Sequence, residues 1–293
     1  MPQVLRMRHI ALLSAMLVLA FPWPGQAAEF DRTLPVTPGT RLDVRVFGGE
    51  VVVRAWDRNA VRVRASHFST DEIEFQADSK TVQIRARTRA GAPHGIDLDI
   101  DVPPWMAIGV AGPYVDVVAS GTRADVAIET VRGDIRVQGG SGTIALSTIE
   151  GQVVLEHARG HARLRAANNG IRVQSFEGVI HAETVDGSVR LLEVTSPDVD
   201  VSTMSGDVLW QGPLAADGHY QLVTHSGDID VTVPASTSAT VTVHALDGHV
   251  QAHFPEPLRT APGQRTTLVL GSGRSQLALE SFNGIISLRP SER

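Results

Sequence analysis

Residue types that can catalyse reactions occur in this sequence, but their spacing matches no known catalytic arrangement. The 293 residues include no cysteine, which excludes thiol nucleophiles, disulfide bonds and thiolate zinc sites. The sequence also lacks the GxSxG, HExxH and SxxK motifs, and no GxGxxG follows a predicted strand. His225, Ser226 and Asp228 are near neighbours, whereas the members of a Ser-His-Asp triad normally come from separate elements. We therefore expect that the protein is not an enzyme and has no cofactor.

Histidine and acidic residues could bind a metal ion, but their spacing does not favour a metal site. His249 and His253 are four residues apart on one predicted strand, a separation of about 13 Å that is too great for one ion. Acidic residues gather beside predicted turns without the GGxGxD pattern of calcium-binding solenoids. They are Asp134, Glu150, Asp186, Asp207, Asp228 and Asp247. Stacking could bring Asp228 near Asp207 and Asp247, but we expect solvated turn residues and no metal.

Arginine is the residue type that best suggests a ligand, because all but one of the basic residues are arginines. Three alternate with apolar residues on one predicted outward face, namely Arg136, Arg172 and Arg190. Arg163 and Arg165 belong to the other face, where Glu129 and Glu183 fall in the same columns and could pair with them. These arginines predict either a contact for an anionic polysaccharide or a solvated, partly ion-paired surface. The formal net charge of −6 argues against a nucleic-acid partner.

The tripeptide Arg132-Gly133-Asp134 has the integrin-binding sequence RGD. Its glycine coincides with a glycine that recurs along the chain, and the flanking residues of that glycine change from one occurrence to the next. A three-residue match is a weak motif. We therefore interpret these residues as part of a turn.

The recurring glycine belongs to a repeat that positions all of these side chains. The phrase TVRGDIRV returns as TIEGQVVL, TVDGSVRL, TMSGDVLW and THSGDIDV. We call its central residues the anchors; they are Gly133, Gly151, Asn169, Gly187, Gly206, Gly227, Gly248 and Gly284. Asn169 lies midway between Gly151 and Gly187 and keeps the 18-residue period. Because asparagine tolerates positive φ, we predict a left-handed backbone at the anchors.

Apolar residues alternate with polar ones on both sides of every anchor, which predicts two short strands per repeat. For example, Ile144 and Leu146 precede Gly151, and Val153 and Leu155 follow it. A single coil cannot bury its apolar face, whereas stacked coils bury a continuous one. We predict an all-β fold: a single-stranded parallel β-solenoid with coils of about 18–21 residues. Antiparallel hairpins are the alternative, because GD and DG also occur in hairpin turns.

One column of the repeat conflicts with this alternation. It lies two residues before each anchor and points outward by strict alternation, yet most of its members are apolar. They are Val131, Ile149, Ala167, Val185, Met204, His225, Leu246 and Phe282. An exposed apolar stripe would mark a partner surface. We expect instead that the chain bends at the corner and buries this column.

The chain divides into an export signal and one continuous domain. Residues 1–28 have basic residues near the start, an apolar run at 10–21 and small residues before Glu29, as in a cleaved signal peptide. Residues 29–103 alternate less regularly and are predicted to form β-rich first coils or a cap. Residues 104–293 are predicted to form the regular solenoid. No later run is long enough to span a membrane as a helix, so we expect an exported protein of the periplasm or cell surface.

The order of these features resembles a bacterial adhesin-like family of exported β-strand-repeat proteins of unknown function. The resemblance rests on FDRTLPVTPGTRLDVRVFGGEVVVRAW, on DVPPWMAIGV, on serial [ST]-x-x-G-x-[IV] units and on the closing GSGRSQLALESFNGIISLR. It implies an exported β-solenoid with no established catalytic residues. We expect a structural or binding role in the envelope, toward an anionic glycan, as the arginines suggest, or another envelope protein. A polysaccharide-active β-helix enzyme and a periplasmic sensor or regulator remain the alternatives.

Overall fold

The computed structural model describes residues 28–68, 70–254 and 263–291. The predicted signal peptide, apart from Ala28, lies outside these residues. Within the described ranges the regular elements are 26 strands, and no helix there has the length and apolar character needed to cross a membrane. The strands are β1 (Ala28–Pro35), β2 (Arg41–Val46), β3 (Gly48–Ala55), β4 (Ala60–His67), β5 (Asp71–Ala77), β6 (Thr81–Thr88), β7 (Leu98–Val102), β8 (Ala107–Gly112), β9 (Tyr114–Thr122), β10 (Val126–Thr130), β11 (Ile135–Gly139), β12 (Ser141–Thr148), β13 (Val153–Glu156), β14 (Arg159–Ala166), β15 (Ile171–Gln174), β16 (Glu177–Thr184), β17 (Val189–Leu192), β18 (Asp198–Ser205), β19 (Val208–Gln211), β20 (His219–Ser226), β21 (Ile229–Val233), β22 (Ala239–Ala245), β23 (His249–Ala252), β24 (Arg265–Leu270), β25 (Ser275–Asn283) and β26 (Ile285–Pro290).

The described strands form two largely parallel sheets of 13 strands each, and most coils add one strand to each sheet. Sheet A has the order β1-β4-β7-β3-β9-β11-β13-β15-β17-β19-β21-β26-β23. Sheet B has the order β24-β22-β25-β20-β18-β16-β14-β12-β10-β8-β2-β6-β5. The predicted all-β solenoid with two strands per coil is confirmed, and the hairpin alternative is wrong for the repeated region.

Equivalent residues of successive coils lie directly above one another, because parallel in-register pairing puts like on like. Leu146 is the register partner of Leu164, which in turn is the partner of Ala182. All three side chains are buried between the sheets. Full burial of one leucine side chain stabilises the fold by about 1.5–3 kcal/mol, so the aliphatic columns supply the main driving force for stacking.

The anchors need glycine for close packing, and the predicted left-handed backbone at Asn169 is wrong. Asn169 does not have positive φ, and Gly133 is the one anchor that does, at 151°. A Cβ atom at Gly187 would instead overlap the carbonyl oxygen of Asn169, and one at Gly151 would overlap that of Gly133. The glycine anchors therefore sit against the backbone of the neighbouring coil, which leaves no room for a side chain at these positions.

A hydroxyl group three residues before the anchor tightens this corner. The Oγ1 atom of Thr148 donates to the carbonyl oxygen of Gly133 at 3.0 Å. Thr184 donates to that of Asn169 at 3.1 Å. Asn169 thus occupies an anchor position between Gly151 and Gly187 and accepts the same hydrogen bond as a glycine anchor. The recurrent Thr or Ser of the repeat is explained by this bond.

The left-handed backbone lies at the opposite corner of the coil. Gly139, His157, Ser175 and Glu193 recur every 18 residues there, with φ of 104°, 52°, 53° and 53°. The last three values are close to the left-handed helical minimum, which non-glycine residues tolerate at modest cost. A second glycine column follows at Gly142, Gly160 and Gly178. A Cβ atom at Gly160 would overlap the carbonyl oxygen of Gly142. Both corners of the coil therefore have positions where only glycine fits.

The two ends of the solenoid depart from sequence order. At the N-terminal end, the β6–β7 coil packs outside the β2–β3 coil, and β8–β9 returns to pack on its inner side. At the C-terminal end, β25–β26 inserts between the β20–β21 coil and the β22–β23 coil. The expectation that Asp247 could approach Asp228 is therefore wrong, because β26 separates β23 from β21.

Antiparallel strands cover three of the four sheet edges. The β1 and β4 strands cap sheet A at the N-terminal end, and β5 caps sheet B there. The β24 strand pairs antiparallel with β22 at the C-terminal end of sheet B. Covered edges of this kind oppose the strand-to-strand aggregation to which an open solenoid end is prone.

Candidate functional site

The arginines predicted on one outward face lie on sheet A, largely with polar partners. The guanidinium of Arg136 is 3.0 Å from the carboxylate of Asp134, and Arg172 donates to Gln174 at 3.0 Å. Arg172 and Arg190 are neighbours on adjacent strands. This face carries a row of isolated or paired charges.

The arginines predicted on the other face border a recess on sheet B. Arg163 and Arg165 extend outward from β14, and Arg165 approaches Glu183 at 3.4 Å. Their register partners on β12 are Ala145 and Ser147. Because alanine and serine are short, the surface drops directly beside the two arginines.

We call this recess the arginine trough; its volume is about 920 Å³. Its floor is formed by short residues of β8, β10 and β12, namely Gly109, Ala111, Ala127, Ala145 and Ser147. Arginines of β2, β6 and β14 form its two banks; they are Arg41, Arg45, Arg85, Arg87, Arg163 and Arg165. The banks on β2 and β14 are four strand spacings apart, which is about 19 Å.

The trough carries a surplus of positive charge. Two carboxylates line it, Asp43 and Glu129, against six guanidinium groups. Asp43 lies 3.7 Å from Arg45, and Arg87 lies 2.8 Å from Glu72 on the capping strand β5. The hydrogen bond to Glu72 raises the pKa of Arg87. Among the described residues, Arg41, Arg85 and Arg163 have no carboxylate oxygen within 4 Å, so half of the bank arginines are available to an anion.

The apolar column two residues before the anchors is exposed, which overturns the expectation that it is buried. We call it the corner stripe; its largest exposed members are Val131, Ile149, Val185, Met204 and Phe282. Their exposed fractions run from 38% to 54%. The turn geometry explains the difference, because the anchor packs tightly on the preceding coil and leaves the residue two before it at the outer edge. Phe282 stacks on the His225 ring at a centroid distance of 4.7 Å.

The RGD tripeptide is held by intramolecular contacts. One carboxylate oxygen of Asp134 accepts the backbone N–H of Gln152 at 2.9 Å, and the other accepts from Arg136 at 3.0 Å. Arg132 bonds Glu150, and this hydrogen bond lowers the pKa of Glu150 and raises that of Arg132. The tripeptide thus links two coils at a turn, as the repeat indicates.

The acidic residues at the turns serve as ties between coils. Asp207 accepts the backbone N–H of Asp228 at 3.0 Å, and Asp228 accepts that of Ile285 at 2.7 Å. Within the described ranges, no group of three histidine or acidic side chains is arranged to hold a metal ion. Asp207 and Asp228 thus tie successive coils to one another.

A buried polar cluster near the N-terminal end was not predicted from the sequence. The Asp71 carboxylate is buried and accepts the Phe68 N–H at 2.8 Å, and its other oxygen is 2.9 Å from Nε2 of His94. The other ring nitrogen of His94 is 3.1 Å from the hydroxyl of Thr88. Thr88 also accepts the backbone N–H of His94 at 3.4 Å. The cluster ties the 89–95 loop to β5 and β6, and no spacing signal in the sequence connects its three members.

The comparisons with known proteins concern the fold and the family. Solved structures similar to this chain include a candidate cell adhesion protein from Clostridium sporogenes, with 12% identity, a TM-score of 0.25, and coverage of 91% of this chain and 100% of the other. A candidate adhesin from Parabacteroides distasonis has 12% identity, a TM-score of 0.39, and coverage of 90% and 98%. A candidate lipid-binding protein from the same organism has 10% identity, a TM-score of 0.31, and coverage of 92% and 98%. No curated protein matches this chain.

One family model spans nearly the whole described chain. The toastrack model DUF4097 matches residues 39–289, which run from the first coil through β26. The match confirms the family resemblance found in the sequence and agrees with the stacked two-sheet architecture. This protein belongs to the toastrack family DUF4097.

Proposed function

We propose that this chain is a non-catalytic binding protein, exported to the bacterial envelope, that recognises an anionic glycan on the outer face of sheet B. The observation that carries the proposal is the arginine trough, where six guanidinium groups surround a floor of short side chains. Arginine presents a planar fork of donors that matches carboxylate and phosphate groups in pairs. A glycan bearing such groups can lie on the floor and reach both banks.

The shape of the molecule suits binding better than catalysis. Catalysis needs a base and its partners to converge within hydrogen-bond reach in a protected pocket. Here the bank arginines are spread from β14 to β6, five strand spacings or about 24 Å of an outer sheet surface, and the floor offers few polar groups. Stacked solenoids generally bind ligands along such extended faces.

The first test is titration calorimetry with polygalacturonate as the acidic glycan and dextran as the neutral control. We expect heat of binding with polygalacturonate alone, decreasing as salt is raised because exposed charges are screened. The double variant Arg85→Gln/Arg163→Gln should weaken binding at least about tenfold. The matched variant Arg172→Gln/Arg190→Gln, on sheet A, should bind like the wild type.

Four results would count against the proposal. Equal binding of dextran would show that charge does not determine binding. Equal loss of affinity in the two double variants would show that the trough is not the binding site. Depolymerisation of the glycan during the titration would show an enzyme. Fractionation of the host completes the test, because recovery of the chain in the cytoplasm would contradict export.

A further inference from the structure

One end of the arginine trough is apolar. At its corner end it meets Phe47, Pro113 and Val131. Phe47 is exposed by 37% and Val131 by 47%, and the Phe47 ring packs against Tyr114 at a centroid distance of 5.2 Å. Phe47, Pro113 and Val131, the first residue of the corner stripe, therefore form an apolar wall where the trough reaches the edge of the molecule.

The arginines lie close to this wall along the strand direction. Arg45 precedes Phe47 by two residues, a distance of about 7 Å in a strand. Arg85 is the register partner of Arg45 on the neighbouring strand. An anionic group bound by these two side chains would thus lie within one short alkyl segment of the apolar wall.

The rest of the corner stripe lacks this combination. Two residues before Val185 is Glu183, and two residues before Phe282 is Glu280, both on the outer face of sheet B. A carboxylate, Glu129, also lies two residues before Val131, so acidic residues border both parts of the stripe. The N-terminal part differs because Arg45 and Arg85 lie beside Phe47 there.

We propose that the trough binds a single-chain anionic amphiphile. The acidic head group lies between Arg45 and Arg85, and the alkyl chain covers Phe47, Pro113 and Val131. This inference rests on the proposed function for the site and extends its ligands from anionic glycans to an anion that carries an apolar chain. The volume of about 920 Å³ accommodates one such molecule, so we take a monomeric ligand as the occupant.

The experiment titrates lauroyl lysophosphatidylglycerol, kept below its micelle concentration, into the full chain. Lauroyl lysophosphatidylcholine, with the same chain and no net charge, is the control ligand. Two variants test the two parts of the site: Arg85→Gln/Arg163→Gln for the head group and Phe47→Ser/Val131→Ser for the chain. The matched control Val185→Ser/Met204→Ser alters the same stripe away from the trough, and circular dichroism melts establish that each variant is folded.

We expect the anionic lipid to bind at least about tenfold more tightly than the zwitterionic one. The arginine variant should weaken binding of both the anionic lipid and polygalacturonate. The Phe47→Ser/Val131→Ser variant should weaken binding of the lipid at least about fivefold and leave polygalacturonate unchanged. The control variant should behave as wild type.

The inference is overturned if the lipid does not bind, if Phe47→Ser/Val131→Ser binds it normally, or if the control variant loses as much affinity. Equal loss in the control would indicate that the whole stripe contacts lipid. In each of these cases trough-dependent binding of polygalacturonate would leave the proposed function standing. If the protein binds the lipid normally but does not bind polygalacturonate, the proposed glycan function is contradicted and the proposed amphiphile site is supported.

Discussion

The middle of the solenoid and its two ends bury the same kinds of side chain but assemble them differently. From β8 to β21 each strand pairs with the equivalent strand of the next coil, 18 to 21 residues away, as in Val126 with Ile144 and Val199 with Tyr220. At the C-terminal end Tyr220 pairs with Leu277, more than fifty residues later. At the N-terminal end β2 lies between β6 and β8.

This difference separates two structural tasks. The middle repeats one local solution, in which each coil needs only its neighbours. The ends must stop the stacking, and they do so with coils placed out of order and with antiparallel strands over the exposed edges. A mutation in the middle should therefore unfold the whole stack if it breaks the register, and should leave the stack folded if the register survives. A mutation at an end should unfold that end alone.

The largest expected effect comes from a charge placed in the middle of the core. Leu164 is fully buried in its stack, so Leu164→Asp should cost more than about 4 kcal/mol and prevent folding. Leu268 is buried on the capping strand β24, so Leu268→Asp should release the cap and leave the remaining coils folded. Far-ultraviolet circular dichroism would measure both. A Leu164→Asp protein with full β-structure would show that the strand faces are inverted.

The next largest difference in stability is expected between deletion of one internal coil and deletion of the C-terminal coil. Removing residues 160–177 takes out one 18-residue coil and brings Gly178 into the place of Gly160, its register partner. We expect this protein to fold with one cooperative melt, because every remaining coil keeps an equivalent neighbour. Removing residues 275–293 deletes β25 and β26, and β26 is the strand that pairs with β23.

The truncated chain should lose its C-terminal coils and aggregate through the exposed edges of β20 and β21. Light scattering and limited proteolysis would measure this loss beside the thermal melt of the internal deletion. Equal damage from the two deletions would contradict the distinction between the middle and the ends.

A smaller effect is expected from single methyl groups at glycines. A Cβ atom at Gly187 would overlap the carbonyl oxygen of Asn169, so Gly187→Ala should cost at least about 3 kcal/mol. Gly109 is the matched control, because its nearest neighbour would be the Arg41 side chain at 3.3 Å. Gly109→Ala should change stability by less than about 1 kcal/mol. Urea denaturation would measure both, and similar losses would refute close backbone packing as the reason for the anchor glycines.

The smallest effect concerns two exposed ion pairs, one at an end and one in the middle. A hydrogen bond from Arg62 lowers the pKa of Asp31, and one from Arg132 lowers the pKa of Glu150. A carboxylate whose pKa is lowered in the folded state stabilises the protein at pH values above its pKa in the unfolded state. That unfolded-state pKa is about 3.9 for aspartate and 4.3 for glutamate. That contribution disappears as the pH falls through the folded-state pKa.

Asp31→Asn and Glu150→Gln should therefore lower the melting temperature slightly at pH 7 and less at pH 3. Because both pairs are exposed, the changes should be small and alike. A much larger drop in melting temperature for Glu150→Gln would mean that loss of an exposed ion pair in the middle destabilises neighbouring coils as well. Thermal melts of the two variants at both pH values would decide this.

The repeat allowed the architecture of the middle to be predicted, because in-register stacking converts each sequence column into a spatial column. Leu146, Leu164 and Ala182 share a stack for this reason. The order of the C-terminal coils could not be predicted, because a coil that inserts out of order has the same repeat pattern as one that follows in order. The backbone at Asn169 was misjudged because close packing and positive φ both select glycine.

The candidate site was only half visible in the sequence. Arg163 and Arg165 belong to the repeat and were predicted as a ligand surface. The opposite bank comes from β2 and β6 in the less regular N-terminal region, where no period aligns Arg45 and Arg85 with the later coils. Their approach depends on the out-of-order packing of β6 and β2 beside β8, which no local pattern encodes.

The inserted C-terminal coil also determines when the molecule can be completed. The chain emerges from its N-terminus first, and the N-terminal end makes all its pairings within residues 28–122. The β22–β23 coil, by contrast, reaches its native position only when β25–β26 lies between it and β20–β21. Pairings between residues distant in sequence form slowly, since the intervening chain must be ordered first. The pairing of β25–β26 is thus a closing step, and the stack of coils cannot be completed before residues 275–290 have been made.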